Sequence, residues 1–344
     1  MNQDKTRLNQ LTRRTVLQML GAAGIGLAAN AAGLQTQEAQ TNISDSDPRN
    51  GNLQGAGFYR FKVGSLECIS VSDGFLQLPA AEFFAAPKAE IEQILRDNFL
   101  PTAQLTLQIN TLFVKTGNQI VLMDTGGGKN LGPTGGFLPV NLAKAEIKPE
   151  EITDVVFSHA HFDHIGGTMT GDKKIFFPKA KFHISQQEWD QALRKKDYFG
   201  GRKVDAAIAK SMFAAIDEDL APLKERISFF TSPTEIAPGV MAIPAYGHTP
   251  GHAVYQVKSG TDSLLYVGDL IHHLAVQLTR PELTMFGDFF PAQSSQARMK
   301  ILAQLAAERQ LMMGAHLSFP GVGHLRARSG KRTSYDWIPL EWQW

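Results

Sequence analysis

The segment His159-Ala160-His161-Phe162-Asp163-His164 constrains this chain more than any other. It follows the apolar run Asp154-Val155-Val156-Phe157, with Ser158 between, and Gly166-Gly167 closes it. In an extended segment side chains at i and i+2 share a face, so His159 and His161 can converge on one ion. The turn that follows presents Asp163 and His164 to a second. Burying three imidazoles and a carboxylate without partners costs on the order of several kcal/mol, so a solvated polar loop is the weaker reading. Sulfur cannot complete such a site. The single Cys68 excludes cysteine-rich zinc modules, iron–sulfur clusters and an intramolecular disulfide. Any metal must be held by His and carboxylates.

Complementary groups lie downstream, each just after an apolar strand. Tyr246-Gly247-His248-Thr249-Pro250-Gly251-His252 follows the strand ending at Pro244, Gly268-Asp269 follows Leu264 to Val267, and Ala315-His316 follows Leu311 to Met313. Loops at strand ends bring groups distant in sequence to one rim, with a rigid sheet behind them. Asp124 ends another apolar strand and opens the Gly126-Gly127 turn, where it is expected to orient a ligand imidazole rather than bind an ion. No Lys-Ser/Thr pair follows these glycines, which removes the phosphate-cradle reading. His183, in an alternating strand, and His324, in a Gly-rich tail, read as structural.

Alternation predicts strands at Tyr59 to Val63, Glu67 to Val71, Leu105 to Val114 and Gln119 to Met123, a β-meander broken at Gly64-Ser65, Asp73-Gly74 and Gly117-Asn118. Shorter apolar strands follow at Asp154 to Phe157, Val240 to Pro244, Ala253 to Val257, Leu264 to Val267 and Leu311 to Met313. Helices are expected at Lys88 to Asn98, Gln186 to Arg194, Val204 to Ile216 and Gln296 to Arg309; Ser185 and Glu188 have capping-box spacing for the second. Two sheets packed together with helices outside accommodate this order.

Residues 1–31 read as an export leader. Arg13-Arg14 precede an apolar run from Leu17 to Ala29, and Ala29-Asn30-Ala31 offers a small-x-small cleavage site. The pattern resembles a twin-arginine signal, which implies the twin-arginine export machinery as a partner and a periplasmic or secreted bacterial protein. The run is shorter than the ~20 residues of a membrane span, so no stable membrane insertion is expected once the leader is removed. Residues 32–55 look like a solvated linker, and 56–344 form the compact domain. The whole chain carries a formal charge of +1, and removal of 1–31 leaves 30 basic and 32 acidic residues. That balance argues against a nucleic-acid partner.

In order and chemistry, Asp124-Thr125-Gly126, His159 to His164, His248, Asp269 and His316 resemble the metallo-β-lactamase superfamily. Ser72-Asp73-Gly74, Gly132-Pro133-Thr134, the motif from Gly247 to His252, Gly268 to Ile271 and Ala315 to Gly321 are similar to its exported lactonase, arylesterase and methyl-parathion-hydrolase group. The likeness spans nearly everything from Phe58 to Trp344. It implies an α/β fold, a four-layer αβ/βα sandwich of two mixed β-sheets with helices outside. It also implies two divalent ions, zinc by preference, in the cleft between the sheets. His159, His161 and His248 would hold the first, Asp163, His164 and His316 the second, and Asp269 would bridge them. A water shared by the ions would then be acid enough to supply a hydroxide nucleophile, with Asp163 and Asp269 beside it and Asp124 behind.

His252 belongs to the family motif but not to this ligand set, and is read as supporting it. His272 matches a position that is an aliphatic pocket residue in organophosphate-specialised relatives. A histidine there makes the pocket more polar and suits a lactone or ester oxygen. Trp189 and Leu131 are the expected pocket walls. The function implied is hydrolysis of a small, mostly uncharged lactone or aryl ester, with organophosphate triesters as a side activity. The alternatives are a β-lactam hydrolase, an organophosphate hydrolase as the main activity, a redox di-iron protein, disfavoured by His161, and a non-catalytic metal-dependent binding protein. The apolar Trp337, Trp342 and Trp344 point to a docked tail or a homodimer contact.

Overall fold

The computed structural model describes residues 55–195, 206–231, 233–330 and 333–341. The expected leader and nearly all of the linker fall outside these residues, as do Trp342, Trp344 and the first two positions of the helix expected at Val204 to Ile216. No helix among the described residues is long and apolar enough to cross a membrane.

The described strands form two seven-stranded sheets. In the first, β1 (Phe58–Val63), β2 (Leu66–Pro79), β3 (Gln104–Thr116) and β4 (Gln119–Met123) make the antiparallel meander. Parallel β5 (Asp154–Val156), β6 (Lys181–Ser185) and β7 (Ile227–Phe230) extend it. The second runs in reverse spatial order from β14 (Tyr335–Pro339) through β13 (Val322–Ala327), β12 (Leu311–Met313), β11 (Asp262–Tyr266), β10 (Ala253–Ser259) and β9 (Val240–Pro244) to β8 (Thr234–Ala237). Only its β11–β12 pair is parallel, so both sheets are mixed, as expected.

The period of two along each strand explains the layering. Val121 and Met123 of β4 face the core between the sheets, with Tyr255 and Val257 of β10 and Leu264 and Tyr266 of β11. Leu122 between them points the other way, into a core that includes Leu142 and Ala192 of the outer helices. On the far side Val254, Leu265 and Met312 pack against Leu302 and Leu305 of the helix Pro291–Glu308. Three apolar layers thus separate helix, sheet, sheet and helix, which is the αβ/βα sandwich.

Three local expectations are corrected. Asp73-Gly74 does not end a strand: β2 continues to Pro79, and the register shifts between Ser72 and Gly74 as a bulge. The buried Asp73 carboxylate accepts N–H bonds from Gly127 (2.9 Å), Gly128 (3.0 Å) and Leu138 (2.7 Å), tying that bulge to the glycine turn after β4. Ser185 does not cap the helix Gln186–Arg194 with its side chain, and Glu188 does not return to the Ser185 N–H because its carboxylate is buried and bonded elsewhere. His324 lies within β13 rather than in a loose tail. Trp337 is half-buried on β14.

Candidate metal centre

The five sequence elements meet at the strand ends. β4 delivers Asp124, β5 delivers His159 to His164, β9 leads to His248, β11 to Asp269 and β12 to His316. All the His and Asp side chains among these are buried. His159 and His161 lie on the extended segment, and the single helical turn Phe162–Ile165 lifts Asp163 and His164 toward the other end of the cluster.

Asp269 stands at the centre, and its two oxygens face different neighbours. Oδ2 lies 3.1 Å from His248 Nε2 and 3.6 Å from His159 Nε2. Oδ1 lies 2.9 Å from His316 Nε2 and 3.0 Å from His164 Nε2. Asp163 Oδ2 joins the second set, 3.6 Å from His316 and 3.7 Å from His164. His161 joins the first, its Nδ1 3.1 Å from His248 Nε2. Ligand atoms of His159, His161, His248 and Asp269 lie within 4.8 Å of one another, and so do those of Asp163, His164 and His316.

Outer partners orient four of these rings. His164 Nδ1 donates to Asp124 Oδ2 (2.8 Å), His248 Nδ1 to Asp288 Oδ1 (3.0 Å) and His316 Nδ1 to the Gln108 carbonyl (2.9 Å). With Nδ1 committed outward, each ring turns its Nε2 toward the centre. Ser158 Oγ donates to Asp124 (2.8 Å) and is therefore free to accept from His159 Nδ1 (3.0 Å). Tyr266 Oη completes the Asp124 shell at 2.8 Å. Asp124 itself sits at φ 58°, the left-handed region that Asp tolerates better than most residues, which turns its carboxylate back under the cluster. Gly167 has to be glycine here, since a Cβ would stand 2.0 Å from the Thr125 carbonyl.

The electrostatics follow the carboxylates rather than the two sets: burial opposes protonation of His248, but Asp269 and Asp288 outweigh it and lift His248 to about 9. Burial, reinforced by neighbouring imidazoles, holds His159 and His161 well below the ordinary imidazole range, hence neutral. Burial also opposes protonation of His164 and His316, but Asp269 and Asp163 outweigh it and lift both. The inward Nε2 atoms of His159 and His164, together with Asp269 Oδ1, are buried without a hydrogen-bond partner. Unsatisfied polar atoms of this kind are costly, and a cation at their focus satisfies them together. Imidazole nitrogens with carboxylate oxygens and no sulfur are a donor set for zinc-class divalent ions. The residues fit a two-ion centre.

The remaining expected residues separate. His252 stands behind the cluster: Nδ1 donates to the Ala245 carbonyl (3.0 Å) and Nε2 accepts the Asp269 backbone N–H (3.1 Å). Burial, with the adjacent His248, keeps it neutral, at about 3. His272 does reach the centre, with Nε2 3.1 Å from Asp269 Oδ2 and its ring stacked on His316 at 5.2 Å. Trp189 and Leu131 are buried in apolar layers. Trp189, on the helix Gln186–Arg194, packs in the core beneath the first sheet with its ring 5.6 Å from Phe229. Leu131 is fully buried with Leu76, Leu78 and Phe83, pressed against Gly127 and Gly135. Large apolar groups at a helix–sheet or turn–sheet junction are drawn into the nearest apolar layer, and the expected place of both at a pocket wall stays a proposal. Rings beside the cluster include Phe289, 5.7 Å from His161, and Phe83, 5.7 Å from His272. His183 bonds Asp154 away from the centre (2.8 Å), as a structural residue.

Sequence reasoning missed Asp288, Ser158, Tyr266, Arg298 and the support role of Glu188. Asp288, inside the run Met285 to Phe290, carries no spacing signal; only the proximity of His248 reveals it. Arg298 is wholly buried and donates to the carbonyls of Leu270 (2.6 Å), Pro281 (3.1 Å) and Leu283 and to Ser294 Oγ (3.0 Å), while lying 3.5 Å from Asp288.

A family model described as the metallo-beta-lactamase superfamily matches residues 105–316. Among solved structures the chain is similar to AidC, a dizinc quorum-quenching lactonase solved with the product N-hexanoyl-L-homoserine. The identity is 30% and the TM-score 0.75, over 83% of this chain and 98% of that one. It is also similar to the hydrolase AbOPH, described as in the beta-lactamase superfamily, at 28% identity and TM-score 0.78, over 85% of this chain and all of that one. A probable metallo-hydrolase of Mycobacterium tuberculosis is 27% identical over 192 residues, covering 49% of this chain. The chain spans 58% of the length of that curated relative.

Proposed function

This chain belongs to the metallo-beta-lactamase superfamily, and we propose that it is a metal-dependent hydrolase that opens small, mostly uncharged lactones, with aryl esters as a second substrate class. One observation carries the reading: the buried Asp269 offers each of its oxygens to a different set of imidazoles. His159, His161 and His248 would hold one divalent ion, Asp163, His164 and His316 a second, with Asp269 shared; zinc suits these donors. Bound there, such ions polarise a carbonyl and lower the pKa of water toward ~7.

The protein's own groups supply the rest. Asp124, Ser158, Asp288 and the Gln108 carbonyl keep the ligand imidazoles in the tautomer that presents Nε2. The Asp163 and Asp269 carboxylates are placed to accept the proton that an attacking water gives up. Phe83 and Phe289 exclude bulk water and offer an apolar face to an uncharged acyl or aryl group. His272 is neutral, held at about 4 by burial, and its Nε2–H can pass from Asp269 to an ester oxygen entering beside it. The similarity to a dizinc lactonase supports the lactone preference. We also propose that the twin-arginine-like leader is removed on export; N-terminal sequencing of protein recovered from the periplasm, or finding Met1 retained there, decides this.

The test is metal content alongside hydrolysis of a dihydrocoumarin-type lactone, an N-acyl homoserine lactone, phenyl acetate, methyl parathion and nitrocefin. The expected result is divalent metal in the purified protein and the highest kcat/KM on a lactone. Methyl parathion or nitrocefin as the best substrate overturns the substrate assignment. Full activity after exhaustive chelation overturns the metal requirement.

A further inference from the structure

Glu188 has no part in the chemistry above, yet it touches both ligand-bearing loops. It is fully buried on the helix Gln186–Arg194. Its Oε1 accepts the Ala160 N–H at 3.0 Å, and its Oε2 accepts the Gly251 N–H at 2.8 Å. Ala160 lies between His159 and His161, on the loop after β5 of the first sheet. Gly251 lies three residues after His248 and one before His252, on the loop between β9 and β10 of the second. The approach is close: a Cβ on Gly251 would stand 2.2 Å from the Glu188 backbone nitrogen. An ordinary helix-capping glutamate bonds its own first turn; this one spends both oxygens on main-chain N–H groups far away in sequence.

We infer that Glu188 is a positioning residue, a carboxylate brace that locks the His159–His161 loop of one sheet to the His248–His252 loop of the other and so sets the spacing of the three imidazoles on that side of the centre. The two loops come from different sheets; their roots are joined where the Ala253 N–H donates to the Ser158 carbonyl (2.9 Å) and Tyr255 Oη to the Phe157 carbonyl (2.7 Å), and Glu188 adds a tie further out, between the ligand-bearing stretches themselves. A carboxylate is the side chain that accepts two N–H groups from opposite sides without bringing a donor of its own. The inference rests on reading this cluster as a metal centre.

The test compares wild type with Glu188→Asp, which keeps the charge but shortens the reach, and Glu188→Gln, which keeps the shape but turns an NH2 group toward one of the two N–H donors. Ala192→Gly, buried on the same helix, is the control for simple loss of stability. Zinc affinity is read by competition with a chromophoric chelator, and ligand geometry by the visible spectrum of the cobalt-substituted proteins. Both Glu188 variants are expected to bind zinc about 10-fold or more weakly, the lower end seen when groups supporting a ligand are removed, and to shift the cobalt bands. Ala192→Gly should melt earlier with unchanged affinity and spectrum. Wild-type affinity and spectrum in a folded Glu188 variant overturn the brace while leaving the metal reading intact. Absence of zinc binding by the wild type overturns both. Should Glu188→Asp not fold, the isosteric Glu188→Gln decides alone.

Discussion

Replacing Arg298 by methionine tests how the centre is supported from outside. Arg298 is wholly buried, and its guanidinium donates to three backbone carbonyls and Ser294 while standing against Asp288. Asp288 in turn accepts from His248 Nδ1 (3.0 Å), Ser294 Oγ (2.9 Å) and the Met285 N–H (3.0 Å). Burial favours the neutral acid, but His248 and Arg298 prevail and hold Asp288 at about 2, ionised. Methionine fills similar space and supplies no donor. It takes one of two cationic neighbours from a buried carboxylate that keeps its bond from His248, a change approaching the ~3–5 kcal/mol seen when one partner of a buried pair is removed. The Leu270 and Pro281 carbonyls also lose this donor, but local relaxation and water entry offset part of that loss, so we expect about 4 kcal/mol in all. At about 2–4 °C per kcal/mol for a domain of this size, the melting temperature falls on the order of 10 °C. The assay is urea unfolding of the metal-free proteins, run as a cycle with Asp288→Asn and the double variant. Removing the charge that Arg298 compensates should recover about 1 kcal/mol or more relative to the sum of the singles. A cost under about 1 kcal/mol for Arg298→Met, or strict additivity in the cycle, would refute the reasoning.

Asp269→Ala removes the carboxylate shared by both sets and should abolish retention of one metal equivalent at least, together with nearly all activity; elemental analysis showing full occupancy would contradict the bridging role. His272→Leu should lower lactone kcat/KM about 10-fold while leaving metal content unchanged and shifting relative preference toward aryl triesters, and equal losses across all substrates would remove His272 from the pocket. Tyr266→Phe deletes one donor to a buried carboxylate and should cost about 2 kcal/mol of stability, read by chemical denaturation. Burial lifts Asp73 from 3.8 to about 6 against the pull of its backbone donors. The folded state therefore holds that proton more tightly than the unfolded one. The contribution of Asp73 to stability is greatest below about pH 4 and falls by about 3 kcal/mol as pH rises through 6. Asp73→Asn should flatten this trend between pH 4 and 7, and parallel pH profiles for variant and wild type would count against it.

The cluster of candidate ligands was legible because its chemistry is local. His159, His161, Asp163 and His164 fall within six positions after a buried strand, and His248, Asp269 and His316 each follow one too. The alternation that places Val121 and Met123 on one face of β4 and Leu122 on the other is equally local, so the two sheets and their layering could be anticipated. The supports were not legible. Asp288 sits among apolar residues with no period, and Glu188 reads as a capping residue until the fold carries Ala160 and Gly251 to it. Trp189 and Leu131 were legible only as buried groups, since an apolar side chain announces that it will be buried but not against what.

The amino-acid order alone thus determined which atoms can bind a cation and which strands present them, because those properties follow from side-chain chemistry and from the two-residue period of a strand. Which oxygen of Asp269 faces which imidazole, and which carboxylate steadies which ring, was decided only by the packing of the two sheets. Those relations depend on contacts between segments up to some 200 positions apart, such as His316 on the Gln108 carbonyl, and no local pattern encodes a distance of that kind.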